Sequence, residues 1–179
     1  MAKNSPNKRR RIEAQGFVCL ANDEIESLNY WLRFAPAICL IWTAIGVVLG
    51  SGSILAALVP FALLGGILTG HPFDVIYNHG IRHLTKTPEL PLYGRPRRFA
   101  CLMASVMISG AAVAFYLGYY AVGYALGSFL IVLAGVNVAT GFCVPSFIYG
   151  LVFGVEECEA EELKNSEKKI ESVSPLWPK

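Results

Sequence analysis

The sequence lacks charge over two long stretches. No Lys, Arg, Asp, Glu or His occurs between Phe34 and Gly70, and none occurs between Phe99 and Val155. Charged residues make up 16% of the chain, against roughly 25% in soluble globular proteins. A helix of a soluble protein needs a polar face toward water, and neither stretch can supply one. These absences exclude an ordinary soluble domain and predict an all-α integral membrane protein.

Motifs of catalysis and of nucleic-acid binding are also missing. The sequence contains no hydrolase triad, paired-carboxylate or P-loop pattern with appropriate placement. The basic run Lys8–Arg11 has no interleaved aromatic residues and belongs to no recognisable binding module. We therefore assign no catalytic residue and no nucleic-acid partner, and we interpret the basic run as part of a solvated tail that touches anionic lipid.

Each uncharged stretch divides into a pair of membrane crossings. Pro145 interrupts the last apolar run, so residues 146–154 are predicted to continue as a kinked or interfacial segment. The expected fold is a four-transmembrane-helix bundle over residues 34–154, because spans of about 20 residues cross the hydrocarbon core. The predicted spans are 34–50, 54–70, 99–118 and 121–143.

Positive charge is confined to one side of the predicted bundle. Lys and Arg occur in the N-terminal segment 1–33 and in residues 71–98, which we call the belt, whereas the two opposite turns carry none. Four crossings place the N-terminal segment, the belt and the charged tail 155–179 on one side. The positive-inside rule makes that side cytoplasmic. We expect a multi-pass protein of the inner (plasma) membrane, in contact with the lipid bilayer, with both termini in the cytoplasm.

The N-terminal segment is predicted to contain one short helix before the first span. Asn22 can cap a helix beginning at Asp23. Leu28 and Leu32 fall on one stripe of that helix, so we expect it to lie at the membrane interface.

The belt contains all three histidines of the chain. Pro72 suits the first position of a helix, and a helix from Phe73 to about Lys86 has an apolar and a polar face. We predict an amphipathic helix on the cytoplasmic surface between spans 2 and 3. Its polar residues are candidates for an interaction belt, comprising His71, Asp74, Asn78, His79, Arg82 and His83.

The end of the belt is predicted to be an extended connector. It contains three prolines and cannot be helical throughout. Arg97 and Arg98 are expected to snorkel beside the third span.

His79 and His83 are the candidates for metal binding. They lie four residues apart on the predicted helix and could bind one ion together. Two histidines leave a zinc shell incomplete, and His71 projects from the opposite flank. We therefore assign no firm metal site, and the sequence identifies no cofactor.

Five cysteines occur at positions 19, 39, 101, 143 and 158. Cys39, Cys101 and Cys143 are all expected near the cytoplasmic end of the spans. Stable disulfides are not expected in that reducing compartment. The three residues are either a thiol cluster for redox or soft-metal chemistry or three small buried hydrophobic side chains, and the second interpretation is favoured.

Small residues predict how the spans pack. Glycines spaced four apart favour close contact between helices within one chain, with homodimerisation as the alternative. Asn137 lies deep in a span, where an unpaired amide is costly, so a packing hydrogen bond is expected. The glycine pairs are Gly46 with Gly50, Gly66 with Gly70, Gly123 with Gly127, and Gly150 with Gly154.

Two segments carry a resemblance to a known family. "RRFACLM" (97–103) and "NVATGFCVPSFIYG" (137–150) resemble the bacterial membrane family called domain of unknown function 4395. The resemblance extends over roughly Arg33 to Gly154. It implies a four-span bundle and no particular activity.

The resemblance also concerns the end of the last span. Many members of that family carry a Cys-x-x-Cys pair there, and the corresponding residues of this chain are Cys143 and Ser146. A serine can donate a hydrogen bond but cannot resolve a mixed disulfide, so the departure argues against a local dithiol mechanism.

Three functions are compatible with these observations. The leading hypothesis is an accessory or scaffold component without catalytic activity, which uses the belt to contact a membrane-protein partner or a second copy. The first alternative is a redox or metal-handling protein that uses Cys39, Cys101, Cys143, His79 and His83. The second alternative is a small-solute carrier, disfavoured because the predicted spans lack ionisable groups.

Overall fold

The described part of the chain is mainly helical and contains no strand. The computed structural model describes Ile12, Gln15, Phe17 and residues 27–85 and 87–154. In chain order the elements are a 3-10 turn (Trp31–Arg33), α1 (Phe34–Val48), α2 (Gly52–Ile67), α3 (Pro72–Ile76), a π-helical turn (Tyr77–Ile81), α4 (Arg82–Thr85), α5 (Arg95–Tyr116), α6 (Tyr120–Thr140) and α7 (Val144–Phe153).

Three helical segments within the described residues are long and apolar enough to cross a membrane. They are Trp31–Val48, α5 and α6. The helix α2 qualifies together with Pro72–Thr85, from which it is bent by 84°. Its own 16 residues rise about 24 Å, somewhat less than the ~30 Å hydrocarbon core. The protein therefore has three to four candidate spans, as expected of a multi-pass membrane protein.

The four long helices form a closed bundle. The helix α2 packs along α5, α5 along α6, α6 along α1, and α1 along α2, while α7 packs against α5. Close approach depends on small residues. At Gly127 of α6, an added Cβ would collide with the side chain of Val47 in α1. The predicted glycine contacts therefore occur within one chain at this crossing.

The third long helix begins earlier than predicted. Its predicted start was Phe99, where charged residues end, but α5 begins at Arg95 with Pro96 in its first turn. Proline is favoured at that position because the N–H groups of the first turn have no acceptor within the helix, so a residue without an N–H loses no hydrogen bond there. The first turn thus includes Arg97, which is buried instead of snorkelling at the surface.

Two arginines cap the helices that end beside the belt, at what we call the belt end of the bundle. Arg33 donates to two carbonyls in the last turn of α6, and Arg98 donates to two at the end of α2. Cations satisfy these terminal carbonyls and interact favourably with the helix dipole. The acceptors are Val138, Ala139, Gly66 and Ile67, at 2.6–3.1 Å.

A second apolar cluster covers the belt end of the bundle, and we call it the cap. It joins the N-terminal segment, the π-helical turn and the connector that follows α4. Its buried members are Ile12, Phe17, Leu28, Leu32, Tyr77, Leu90 and Tyr93. The sequence predicts a solvated N-terminal tail, but Ile12, Gln15 and Phe17 are buried because the cap gives their side chains a core.

The predicted belt helix is present but divided. The π-helical turn separates α3 from α4. Phe73 and Tyr77 are buried as expected of an apolar face, whereas Leu84 is 87% exposed and the polar Asp74 is buried. The belt is therefore folded partly into the cap and is not a simple amphipathic surface helix.

Several predicted features lie outside the described residues. These are the basic run Lys8–Arg11, the Asn22 cap, Cys19, Cys158 and the charged tail 155–179.

Candidate functional site

The guanidinium of Arg97 is buried between the bundle and the cap. Arg97 is only 5% exposed to solvent. Nη1 donates to Oε1 of Gln15 and Nη2 donates to the carbonyl of Leu32, each at 2.7 Å. Its Cζ atom lies 4.7 Å from the ring centroids of both Phe17 and Tyr93. Oxygen acceptors and aromatic faces thus replace water around this charge.

Asp74 supplies a buried carboxyl group nearby, and burial raises its pKa. The hydroxyl of Tyr93 donates to the Asp74 carboxylate, and the backbone N–H of His71 donates to its Oδ2 atom at 3.2 Å. Burial raises the pKa of Tyr93 well above its usual range, so its hydroxyl remains protonated and keeps donating. Asp74 and Arg97 therefore attract each other across the Tyr93 side chain.

His71 presents an imidazole to one of the cysteines. Its Nδ1 accepts the backbone N–H of Phe73 at 3.3 Å at the start of α3. Burial lowers the pKa of His71 to about 4, so the ring is neutral at physiological pH. Because Nδ1 accepts, the proton of the neutral ring is assigned to Nε2. That atom lies 3.9 Å from Sγ of Cys39 and can donate to it.

A cavity of about 320 Å³ lies beside these groups. Side chains of α1, α5, α6 and α7 form most of its wall, with Ala62, His71 and Tyr93 completing it. Most of its polar groups lie in the turns of the helices near the belt end, whereas Thr43 lies further along α1. The polar or sulfur-bearing lining residues are Cys39, Thr43, His71, Tyr93, Arg97, Cys101, Asn137 and Cys143.

The cavity brings three cysteines together. Cys39 lies in α1, Cys101 in α5, and Cys143 at the N-cap of α7. All three are free thiols of intermediate exposure. Cys101 lies within electrostatic range of Cys39 and of Cys143. The structure thus surrounds one cavity with three sulfur atoms, a guanidinium and an imidazole.

Asn137 faces the same cavity. The sequence predicts a packing hydrogen bond for its amide, but the side chain makes none with the part of the chain that the structure describes. Every fully buried side-chain N or O atom of the described residues has a hydrogen-bond partner. The amide of Asn137 has none among these residues and is therefore not fully buried in the packed core. Its hydrogen-bonding groups are therefore available to a molecule in the cavity.

Ser146 has a packing role. Its hydroxyl is fully buried and donates to the carbonyl of Pro96 at 3.1 Å. This bond attaches the first turn of α7 to the first turn of α5, next to Arg97. Any reaction that pairs Cys143 with a second thiol must therefore use a cysteine from another helix.

The predicted interaction belt does not form one exposed surface. His71 and Asp74 are buried at the cavity and the cap. Asn78 accepts the backbone N–H of Leu90 at 3.1 Å, and Arg82 forms an ion pair with Glu89.

The two metal candidates lie away from the cavity. His79 and His83 are exposed, and Nδ1 of His79 lies 3.2 Å from the Val75 carbonyl oxygen. Among the described residues, no three His, Cys, Asp or Glu side chains are arranged to hold a metal ion. The imidazole that accompanies the cysteines is that of His71.

Sequence reasoning missed Arg97 as a site residue. It was assigned to a surface connector because it precedes the uncharged stretch. A signal was nevertheless present, since Pro96 can begin a helix, and Arg97 and Cys101 then lie four residues apart on one helix face. No comparable sequence pattern indicates that the side chain of Gln15 contacts Arg97.

The family comparison covers the whole bundle. The sequence matches the family described as "Domain of unknown function (DUF4395)" over residues 29–153. No curated protein and no solved structure matches the chain. The matched range includes α1 to α7, Arg97 and the three cavity cysteines. This protein belongs to the DUF4395 family.

Proposed function

We propose that this protein is an integral membrane thiol-redox protein whose reactive groups are Cys39, Cys101 and Cys143. The observation that supports this function best is that three cysteines from distant parts of the sequence line one cavity with Arg97 and His71. Cysteines that serve only as small apolar side chains need no shared cavity and no neighbouring cation.

Two groups beside the cysteines can interact favourably with a thiolate. The thiolate is the reactive form, and it is stabilised at helix N-termini and beside cationic or hydrogen-bond-donating groups. Cys143 occupies the N-cap of α7 and interacts electrostatically with Arg97. Cys39 lies within reach of the Nε2–H of His71. A negative charge that forms on either sulfur therefore faces a favourable partner.

The proposed orientation places these thiols at the cytoplasmic end of a bacterial inner-membrane protein. The arginines cluster at the belt end of the bundle, and the turns at the opposite end carry no Lys or Arg. In the reducing cytoplasm, disulfides are transient and belong to catalysis or redox sensing.

Single-cysteine labelling tests the orientation. In a background with all native cysteines replaced by serine, we would introduce Tyr119→Cys at the turn before α6 and His83→Cys in the belt, both at exposed positions. A membrane-impermeant maleimide should label Tyr119→Cys in intact cells and His83→Cys only after permeabilisation. The reverse pattern would contradict the proposed orientation.

Quantitative alkylation tests the thiol function. Purified protein in lipid nanodiscs would be treated with diamide, alkylated, reduced and alkylated again with an isotopically distinct reagent. We expect reversible oxidation of cavity cysteines, lost in Cys101→Ser and retained in the matched control Cys158→Ser. If Cys39, Cys101 and Cys143 stay fully reduced in protein that elutes as a folded species, the proposal is wrong.

An accessory or scaffold role is the second candidate function. The specific observation in its favour is the outer face of α4 and the π-helical turn, where His79, His83 and Leu84 are exposed. Such a surface can dock a membrane-protein partner or a second copy. No feature of the described structure favours the solute-carrier hypothesis in the same way.

Co-purification tests whether the belt docks a partner. A His79→Ala, His83→Ala, Leu84→Ala variant should lose a stably bound partner if the belt is the docking surface, whereas Cys101→Ser should retain it. Affinity purification from membranes with quantitative mass spectrometry measures both. Retention of every co-purifying protein by the triple variant would argue against a docking role for the belt.

A further inference from the structure

We infer that the cavity binds a lipid-soluble quinone, which accepts electrons from the cavity thiols and is held through a carbonyl oxygen by Asn137 and Arg97. This inference rests on the proposed thiol function and names the chemical class of its electron acceptor.

The rim of the cavity indicates where its ligand comes from. Met103 of α5, Phe129 of α6 and Ile148 of α7 line the cavity and are 42%, 55% and 50% exposed, respectively. In a membrane, the outer surface of such apolar helices contacts lipid. A molecule that passes between these side chains therefore enters from the bilayer, which requires a lipid-soluble ligand.

The interior of the cavity indicates what the ligand carries. An amide left without a hydrogen-bond partner in apolar surroundings is unfavourable, and the Asn137 side chain has none among the described residues. Together with the guanidinium of Arg97, it offers N–H donors to an oxygen acceptor. A plain hydrocarbon chain would leave the Asn137 amide unpaired, whereas a quinone carbonyl would accept from it.

The remaining walls suit a flat apolar ring. Phe99, Met103, Met107 and Phe129 line the cavity, and aromatic rings and thioethers make favourable contacts with the face and edge of another ring. The volume of about 320 Å³ lies at the lower end of the ~300–1,000 Å³ range of small-molecule pockets. A quinone head would therefore occupy the cavity while its isoprenoid tail remained among the lipids.

In the proposed reaction, the quinone takes up the electrons and protons that the thiols release. The S–H bonds of Cys101 and Cys143 break and one S–S bond forms between the two sulfurs. The two electrons and two protons released reduce the two quinone carbonyls to hydroxyls, which gives a quinol. These two cysteines are assigned because both line the cavity and lie where α5 and α7 are joined. The Ser146–Pro96 hydrogen bond holds the first turn of α7, with Cys143 at its N-cap, against the first turn of α5, close to Cys101.

The test uses the full-length reduced protein in quinone-free nanodiscs. The probe is a fully substituted benzoquinone with a short alkyl tail, which cannot readily form adducts with thiols. Quinone reduction would be followed by absorbance, and the disulfide-linked peptides would be identified by mass spectrometry. A parallel sample receives diamide, which oxidises thiols without needing a quinone site.

The critical variant is Asn137→Leu, which keeps a similar size but removes the amide. We expect wild-type protein to form one quinol for each Cys101–Cys143 disulfide. Asn137→Leu should lose most quinone reduction and keep diamide oxidation, and elution at the wild-type volume in size-exclusion chromatography shows that the variant is folded. The matched control is Ser128→Leu on the exposed side of α6, and it should behave as wild type in both samples.

The outcomes separate the two proposals. If diamide oxidises the cavity thiols but the quinone is not reduced, the quinone inference is wrong and the thiol-redox function stands. If quinone reduction survives unchanged in Asn137→Leu, the assigned binding mode is wrong. If neither oxidant forms a disulfide in the cavity, the thiol-redox function fails and the quinone inference fails with it.

Discussion

The burial of one guanidinium determines the structure of the belt end of this protein. A cation removed from water costs several kcal/mol unless hydrogen bonds and favourable charges replace its hydration. Arg97 obtains these from Gln15, from the Leu32 carbonyl and from the rings of Phe17 and Tyr93. Those partners come from parts of the chain that precede and follow the first two long helices, so satisfying Arg97 requires the cap to fold onto α5.

The cap in turn shapes the cavity. Tyr93 and Arg97 belong both to the buried belt end and to the cavity lining, so the polar end of the cavity is closed by protein. Arg33 and Arg98 fix the neighbouring ends of α6 and α2 by binding their last carbonyls. The cavity is also bordered by half-exposed side chains of α5, α6 and α7. The site therefore combines reactive groups at the belt end with apolar walls that face lipid.

Much of the fold could be predicted from the absence of charge. Lipid excludes ionised side chains, so the limits of the two uncharged stretches locate the long helices to within a few residues. The prediction for the start of α5 is wrong for a physical reason. An arginine whose charge is satisfied by hydrogen bonds and aromatic rings can lie inside a buried helix, whereas the charge pattern places it outside. The family identified from the two quoted segments is confirmed by the match over residues 29–153.

The site was less predictable because it depends on contacts between distant segments. Helix topology alone placed Cys39, Cys101 and Cys143 near the same end, but a shared cavity depends on how the helices rotate and pack. Position in the sequence does not distinguish an amide packed against another helix from one that faces a cavity. For this reason, the predicted packing hydrogen bond of Asn137 is absent from the described structure. Burial of Gln15 required the cap, and the cap joins residues more than 80 positions apart, as the Gln15–Arg97 bond shows.

The most direct test of this account is the effect of Arg97→Met on stability and on thiol protection. Loss of the guanidinium removes its hydrogen bonds to Gln15 and Leu32 and its contacts with two aromatic rings, which should reduce the free energy of unfolding by about 2–4 kcal/mol. The variant should melt at a lower temperature in detergent, and a water-soluble maleimide should label Cys101 faster than in wild type. Arg82→Met, which removes a surface arginine, should change neither property. An Arg97→Met protein with wild-type melting temperature and labelling rate would contradict the central role of the buried guanidinium.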